Sequence, residues 1–146
     1  VAVERLNVAM PLLTGILETV IYVDDLRRAI GFYEAIFRFE MLQSDARFCA
    51  FNVANRQVLL LFQRGSSLDP TALSGGTIPP HDGSGPAHFA FSIPAGSQVE
   101  WDDWLAKNGV AVESRVTWPR GSTSLYFRDP DQHLVELATP GIWAIY

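Results

Sequence analysis

"GILETVIYVDDLRRAIGFYEAIF", residues 15–37, contains the change of period on which the fold rests. Residues 16–23 are rich in β-branched and apolar side chains and predict a strand that Asp24-Asp25 ends. From Leu26 the apolar residues Leu26, Ala29, Ile30, Tyr33 and Phe37 recur in steps of three and four, one face of a helix with an Asp at its N-cap. Three short strands follow, "EMLQSD" (40–45), "RFCAFNV" (47–53) and "RQVLLLFQ" (56–63), with Ala54-Asn55 as the tight connection before the last. The order is βαβββ. Residues 65–84 are dense in Gly, Ser and Pro and read as a linker too long for a turn. The order then restarts. "AHFAFSI" (87–93) is a strand, and "SQVEWDDWLAKNG" (97–109) is a helix with Trp101, Trp104 and Leu105 inward and Gly109 as its stop. "VAVESRVTW", "TSLYFRD" and "HLVELAT" are three further strands.

Two halves of one order invite a residue-level comparison. Residues 48–62 set against 124–138 without a gap place Leu60 opposite Glu136, and residues 15–23 against 85–93 place Glu18 opposite His88. Three of these four equivalent positions carry residue types that ligate divalent metals through oxygen and imidazole nitrogen. Alternation puts Glu18 with Ile16, Val20 and Tyr22, His88 with Ala90 and Ser92, and Glu136 with Leu134 and Ala138. Phe89, Phe91 and Ile93 take the other side and meet the helices, which leaves the His88 side small and open. Taken singly, Glu136 is a strand-end carboxylate turned to water and His88 a hydrogen-bonded core residue. Together they are better read as ligands, because unpaired carboxylates in an apolar groove cost several kcal/mol, of order 2–7 for even a neutral polar group.

Composition limits the rest. A chain of 146 residues that is 48% hydrophobic supports one domain, residues 15–146, built from modules 15–64 and 85–146, with residues 1–14 as an arm or tail. A net charge of −5 with scattered basic residues argues against nucleic acid, and no apolar run approaches the ~20 residues of a membrane span. The single cysteine, Cys49, reads as a buried thiol, and the chain as cytoplasmic.

The segments "ETVIYVDDLRRAIGFYEAIF", "GPAHFAFSI" and "LYFRDPDQHLVELATP" together resemble the vicinal oxygen chelate superfamily, which includes glyoxalase I, extradiol dioxygenases, fosfomycin-resistance enzymes and bleomycin-binding proteins. The resemblance implies an α+β fold of two βαβββ modules related by a pseudo-twofold axis, with curled mixed sheets that form a central groove. It also implies a homodimer and a metal held by first and last strands, hence by Glu18, His88 and Glu136. The chain departs from the patterns of particular relatives: Glu18 stands where His or Gln is common, Leu60 where glyoxalase I has a carboxylate, and Val20 where fosfomycin-resistance enzymes have Thr.

Three protein ligands leave positions open for substrate, and two carboxylates with one imidazole suit Mn, Fe, Ni or Zn without choosing among them. Glu18 and Glu136 are also the candidate catalytic groups. Tyr126, Arg128, Trp118 and Trp143 are candidate substrate contacts, each with an alternative as surface or packing residue. His133 points to the opposite face from Glu136 and is rejected as a ligand; His81 is read as an exposed loop residue. Asp129-Pro130-Asp131 suits a type I turn, with Gln132 where the superfamily prefers Gly. Two functions remain open. One is a divalent-metal-dependent lyase or isomerase of glyoxalase type acting on a small oxygenated metabolite or xenobiotic, ahead of a dioxygenase or thiol transferase. The other is a metal-free protein that sequesters a small aromatic drug.

Overall fold

The computed structural model describes residues 9–146. The first eight residues of the expected arm lie outside the described residues. Residues 9–17 carry no regular element, and Met10, Leu12, Leu13, Ile16 and Leu17 are 64–88% exposed.

Strand β1 (Glu18–Val23), helix α1 (Leu26–Phe37) and strands β2 (Met41–Ser44), β3 (Phe48–Val53) and β4 (Gln57–Gln63) form the first βαβββ module. Asp25 caps α1, its Oδ1 accepting from the Arg28 N–H at 3.0 Å. The first sheet has the order β1-β4-β3-β2, with β1 and β4 parallel and the other pairs antiparallel. Three residues, 54–56, connect β3 to β4: Ala54 and Asn55 both have positive φ (54° and 56°), and the Arg56 N–H returns to the Val53 carbonyl at 3.1 Å. The second module repeats this plan with β7 (His88–Ser92), α2 (Gln98–Lys107), β8 (Val112–Thr117), β9 (Thr123–Arg128) and β10 (Leu134–Ala138), in the sheet order β7-β10-β9-β8. Helix α2 ends one residue before Asn108, and Gly109 takes the left-handed φ of 72°.

The linker departs from the expectation of an unstructured stretch. It contains a short hairpin, β5 (Thr71–Leu73) with β6 (Gly76–Ile78), and then lies back on the first module. His81 is half-buried: its Nδ1 lies 2.7 Å from the Tyr22 hydroxyl and its ring meets Phe62 edge-on at 4.6 Å. A Cβ on Gly83 would fall 2.5 Å from the Tyr22 ring, so only glycine allows the chain to pass here.

Alternation sorts each sheet into a packed and an open face. Ile21 and Val23, Leu59 and Leu61, and Cys49 and Phe51 point into one core; Leu125, Phe127, Val135 and Leu137 point into the other. Phe32, Phe37, Phe89 and Phe91 pack against both cores, which joins the two modules through their helix-bearing sides. Phe37 lies 4.8 Å from Phe91 and 6.3 Å from Phe127, centroid to centroid. Glu18 and Val20 on β1, and His88, Ala90 and Ser92 on β7, are on the faces left exposed. Cys49 is fully buried, as expected, and burial pushes its thiol up to about 11.

The turn between β9 and β10 bolts the modules together. Pro130 occupies its first corner, the Gln132 N–H returns to the Asp129 carbonyl at 3.0 Å, and Gln132 itself takes the left-handed φ of 67°. Asp129, 2% exposed, accepts at Oδ1 from the N–H groups of Asp131 and His133 and at Oδ2 from the Tyr33 hydroxyl of α1 at 2.7 Å. Asp131 Oδ1 accepts from the Asp24 N–H at 2.8 Å and from Arg28 at 3.3 Å. His133 is buried on the face opposite Glu136, as the sequence indicates. Its Nδ1 accepts from the Ala87 N–H at 2.8 Å, so Nε2 carries the proton and donates to the Tyr22 carbonyl at 2.7 Å.

Burial first, and the Asp129 charge second, hold the Tyr33 phenol well above its ordinary value of 10.0. The folded state therefore keeps a proton that the unfolded chain gives up. This contribution to stability is present below pH ~10 and is lost as pH rises beyond it. A Tyr33→Phe variant leaves Asp129 Oδ2 buried without its donor and should cost about 1–3 kcal/mol at neutral pH in urea unfolding. It should also flatten the fall in stability above pH ~10. An unchanged unfolding curve at both pH values would contradict the clamp.

Candidate metal and substrate site

Strand β10 is bonded on both sides, parallel to β7 and antiparallel to β9, so its central residue faces two neighbours at once. That residue is Glu136, opposite Ala90 on β7 and Tyr126 on β9. Two residues along β9 from Tyr126, Ser124 shares its face and lies opposite Ala138. The Ser124 hydroxyl donates to Glu136 Oε1 at 2.6 Å and the Tyr126 hydroxyl donates to the same oxygen at 3.1 Å. Both lone pairs of Oε1 are thereby engaged, and Glu136 is 8% exposed. Burial, with the Glu136 charge second, raises the Tyr126 phenol above its ordinary value.

The other carboxylate oxygen, Oε2, lies 3.2 Å from His88 Nε2. His88 Nδ1 is 3.0 Å from the Leu134 carbonyl, which can only accept, so Nδ1 carries a proton. In the neutral ring Nε2 then presents a lone pair to a carboxylate oxygen. Two such acceptors repel unless a proton or a cation stands with them. Two donors bound to one divalent ion at ~2.1 Å and roughly 90–110° apart are themselves ~3.0–3.4 Å apart, a spacing that the pair has. Each ligand is also oriented by a bond at its far atom, the imidazole by a backbone carbonyl and the carboxylate by two hydroxyls, as metal-binding side chains are. The residues fit a divalent cation.

Glu18 does not join them within the chain. Among the described residues no group of three His, Cys, Asp or Glu side chains is close enough to hold an ion. The clamp explains why: Tyr22 contacts the second module through His133, and Glu18 lies four residues upstream, about 13 Å along the strand. Leu60 faces the same way as Val20, its neighbour across β1 and β4. The expected convergence of positions 18, 60, 88 and 136 therefore reduces, in one chain, to His88 with Glu136.

The candidate substrate residues separate. Tyr126 faces the site. Arg128 is committed elsewhere, its Nε donating to Glu113 Oε2 at 2.7 Å and its Nη1 to the Gln132 carbonyl at 3.0 Å. Trp118 stands beside the site, with Nε1 donating to Ser124 Oγ at 2.9 Å. Trp143, 70% exposed, belongs to a C-terminal segment that folds back until the Tyr146 hydroxyl reaches the Ala138 carbonyl at 2.8 Å. Together with Ala90, Ala138 and Ile142, these two aromatic residues enclose about 150 Å³ beside Glu136. A larger hollow of about 450 Å³ between α1 and α2, walled by Phe37, Trp101 and Trp104, brings no two candidate ligands together. Ser124 is the residue that sequence reasoning passed over. Its placement two residues before Tyr126, on the face turned to Glu136, was the available signal.

A family model for the Glyoxalase/Bleomycin resistance protein/Dioxygenase superfamily matches residues 15–137. The chain belongs to this superfamily. Lactoylglutathione lyase from Agrobacterium tumefaciens is a similar solved structure, with a TM-score of 0.82 and 34% identity over 90% of this chain and 98% of that one. Metallothiol transferase FosB of Staphylococcus saprophyticus is 28% identical over 118 residues, 80% of this chain and 71% of the relative. The fosfomycin resistance protein FosX from Listeria monocytogenes, in its complex with Mn(II) and sulfate, shares the fold at a TM-score of 0.65 and 23% identity, over 90% of this chain and 94% of that one. No helix among the described residues is long and apolar enough to cross a membrane.

Burial first, and the Glu136 charge second, should make the Tyr126 phenol ionise above 10.0, as Tyr22 and Tyr33 also should, so an absorbance titration of Tyr126→Phe should show one late-ionising phenol fewer than the wild type. An equal number of late-ionising phenols in the two proteins would contradict the placement of Tyr126 beside the buried Glu136.

Proposed function

We propose that the protein is a divalent-metal-dependent enzyme of glyoxalase or lyase type acting on a small oxygenated molecule. The observation that carries this reading is the 3.2 Å approach of His88 Nε2 to Glu136 Oε2, with both side chains tied at their far atoms. When bound, the ion supplies Lewis-acid polarisation of a carbonyl or hydroxyl pair on the substrate. His88 and Glu136 hold it, and the Ser124 and Tyr126 hydroxyls keep the carboxylate from turning. Since Oε1 of Glu136 has its lone pairs engaged and Oε2 faces His88, Glu18 is proposed to hold the ion through one carboxylate oxygen and to take up a substrate proton with the other. The wall made by Trp143 and Tyr146 gives the substrate an apolar side. Lactoylglutathione lyase and the metallothiol transferases among the similar proteins support metal-assisted chemistry on small molecules. The sequestering alternative has less support, because a protein that only sequesters a ligand has no need of an imidazole and a carboxylate held at ligand spacing.

Glu18 is proposed to reach the site from a second copy of the chain. Its strand face is exposed, and the exposed apolar residues Met10, Leu12, Leu13, Ile16 and Leu17 lie just before it in the sequence. A run of this kind calls for cover, and a twofold homodimer would supply two equivalent sites.

The test is to mix two inactive variants. Glu18→Ala and His88→Ala homodimers should each lose tight binding of Mn, Ni or Zn. Exchange of subunits between them should restore one intact site in each mixed dimer, alongside one that lacks both ligands. Failure of the mixture to regain any metal would rule out the shared site. Failure of the wild type to take up any of these ions would overturn the metal-dependent reading itself.

A further inference from the structure

Strand β9 is entered through the turn Trp118-Pro119-Arg120-Gly121. The Gly121 N–H returns to the Trp118 carbonyl at 2.8 Å, the Trp118 N–H donates to the Ser122 carbonyl at 2.8 Å, and Gly121 takes a φ of 87°. This repeats the construction of the Asp129–Gln132 turn at the other end of the same strand, with Gly in place of Gln132 at the left-handed position. Pro119 and the two backbone bonds hold Trp118 at a fixed place at the end of β8, and its indole reaches the second residue of β9.

The direction of the resulting chain of hydrogen bonds follows from donor counts. An indole Nε1 only donates, so Ser124 Oγ accepts at 2.9 Å. The serine hydroxyl has one proton, and Glu136 Oε1, at 2.6 Å, has none to give as a carboxylate. The order is Trp118 N–H to Ser124 O–H to Glu136 Oε1. Ser124 is 1% exposed, so water competes little for either bond. Without the indole N–H the hydroxyl would still find Glu136, but the lone pair that now accepts would be buried and unsatisfied, and the oxygen would be free to turn toward another donor.

We propose that Trp118 is a positioning residue for metal binding, acting through Ser124 to fix the orientation of Glu136 so that Oε2 faces His88. The inference rests on the proposed metal site and extends it by one residue beyond the groups that touch Glu136. It reassigns Trp118 from the substrate wall, where the sequence suggested it, to the support of a ligand.

Zinc affinity and the indole N–H resonance of ¹⁵N-labelled protein test this together. Trp118→Phe keeps a ring of similar shape and removes the N–H; it should weaken zinc binding about tenfold, at the lower end of the ~10–100-fold effects of outer partners. Ser124→Ala should weaken it at least as much, and the double variant no further than Ser124→Ala alone, because the two residues act in series. In the wild type the indole resonance that disappears in Trp118→Phe should move on adding zinc, and in Ser124→Ala it should not respond. Wild-type zinc binding that is unchanged in Trp118→Phe, or losses that add in the double variant, would overturn the relay and leave the metal site standing. A wild type that binds no zinc, manganese or nickel would overturn both.

Discussion

The carboxylate of Asp129 is the constraint on which the rest of the molecule depends. It is almost wholly buried, and burial raises its pKa from the ordinary value of 3.8 against the opposing pull of the Tyr33 hydroxyl. A buried carboxylate is tolerated only when its lone pairs are met, and two backbone N–H groups with one phenol meet them here. Meeting them folds the turn, draws α1 of the first module onto it, and places His133 immediately before β10. His133 then fixes Ala87 on one side and Tyr22 on the other, which sets the parallel register that pairs Leu134 with His88. The ring of His88 is oriented by the Leu134 carbonyl, and Glu136 follows two residues later on the same face. The candidate metal pair is thus a consequence of the clamp.

The two modules share a plan and differ in what they do with it. Where β10 and β9 set Glu136 opposite Tyr126, β4 and β3 set Leu60 opposite Ala50; where Ser124 faces Ala138, Phe48 faces Phe62. Each polar support of the carboxylate in the second module has an apolar counterpart in the first. The open face of the first module carries Glu18 at one end and the Tyr22–His81 contact at the other, with apolar side chains between.

Much of this was legible from residues. The steps of three and four in 26–37 marked α1, and alternation in 87–93 separated the phenylalanines that join the cores from the small residues beside His88. Asp129-Pro130-Asp131 marked the turn, the resemblance marked Gln132 as standing where Gly is preferred, and the unbroken offset between the halves singled out positions 18, 60, 88 and 136. What alternation does not reveal is how one module faces the other: it assigns a side chain to a side of its own sheet, and Glu18 was on the side expected without reaching His88. The linker hairpin escaped notice because its three-residue strands, flanked by Gly and Ser, are too short to show a period. The sequence leaves Arg128 open between substrate contact and surface residue, and does not show its partner Glu113, which lies at a register shift in β8 between Val112 and Ser114. Trp118 showed no periodic signal, since its role depends on a turn that places one N–H.

X-ray absorption by the zinc- or nickel-loaded protein tests the central claim most directly, because it reports the donor atoms without reference to substrate. The account predicts nitrogen and oxygen donors at ~2.0–2.2 Å with the outer-shell scattering of a single imidazole, which disappears in His88→Ala. A sulfur donor near 2.3 Å, or an imidazole signal that survives removal of His88, would contradict it.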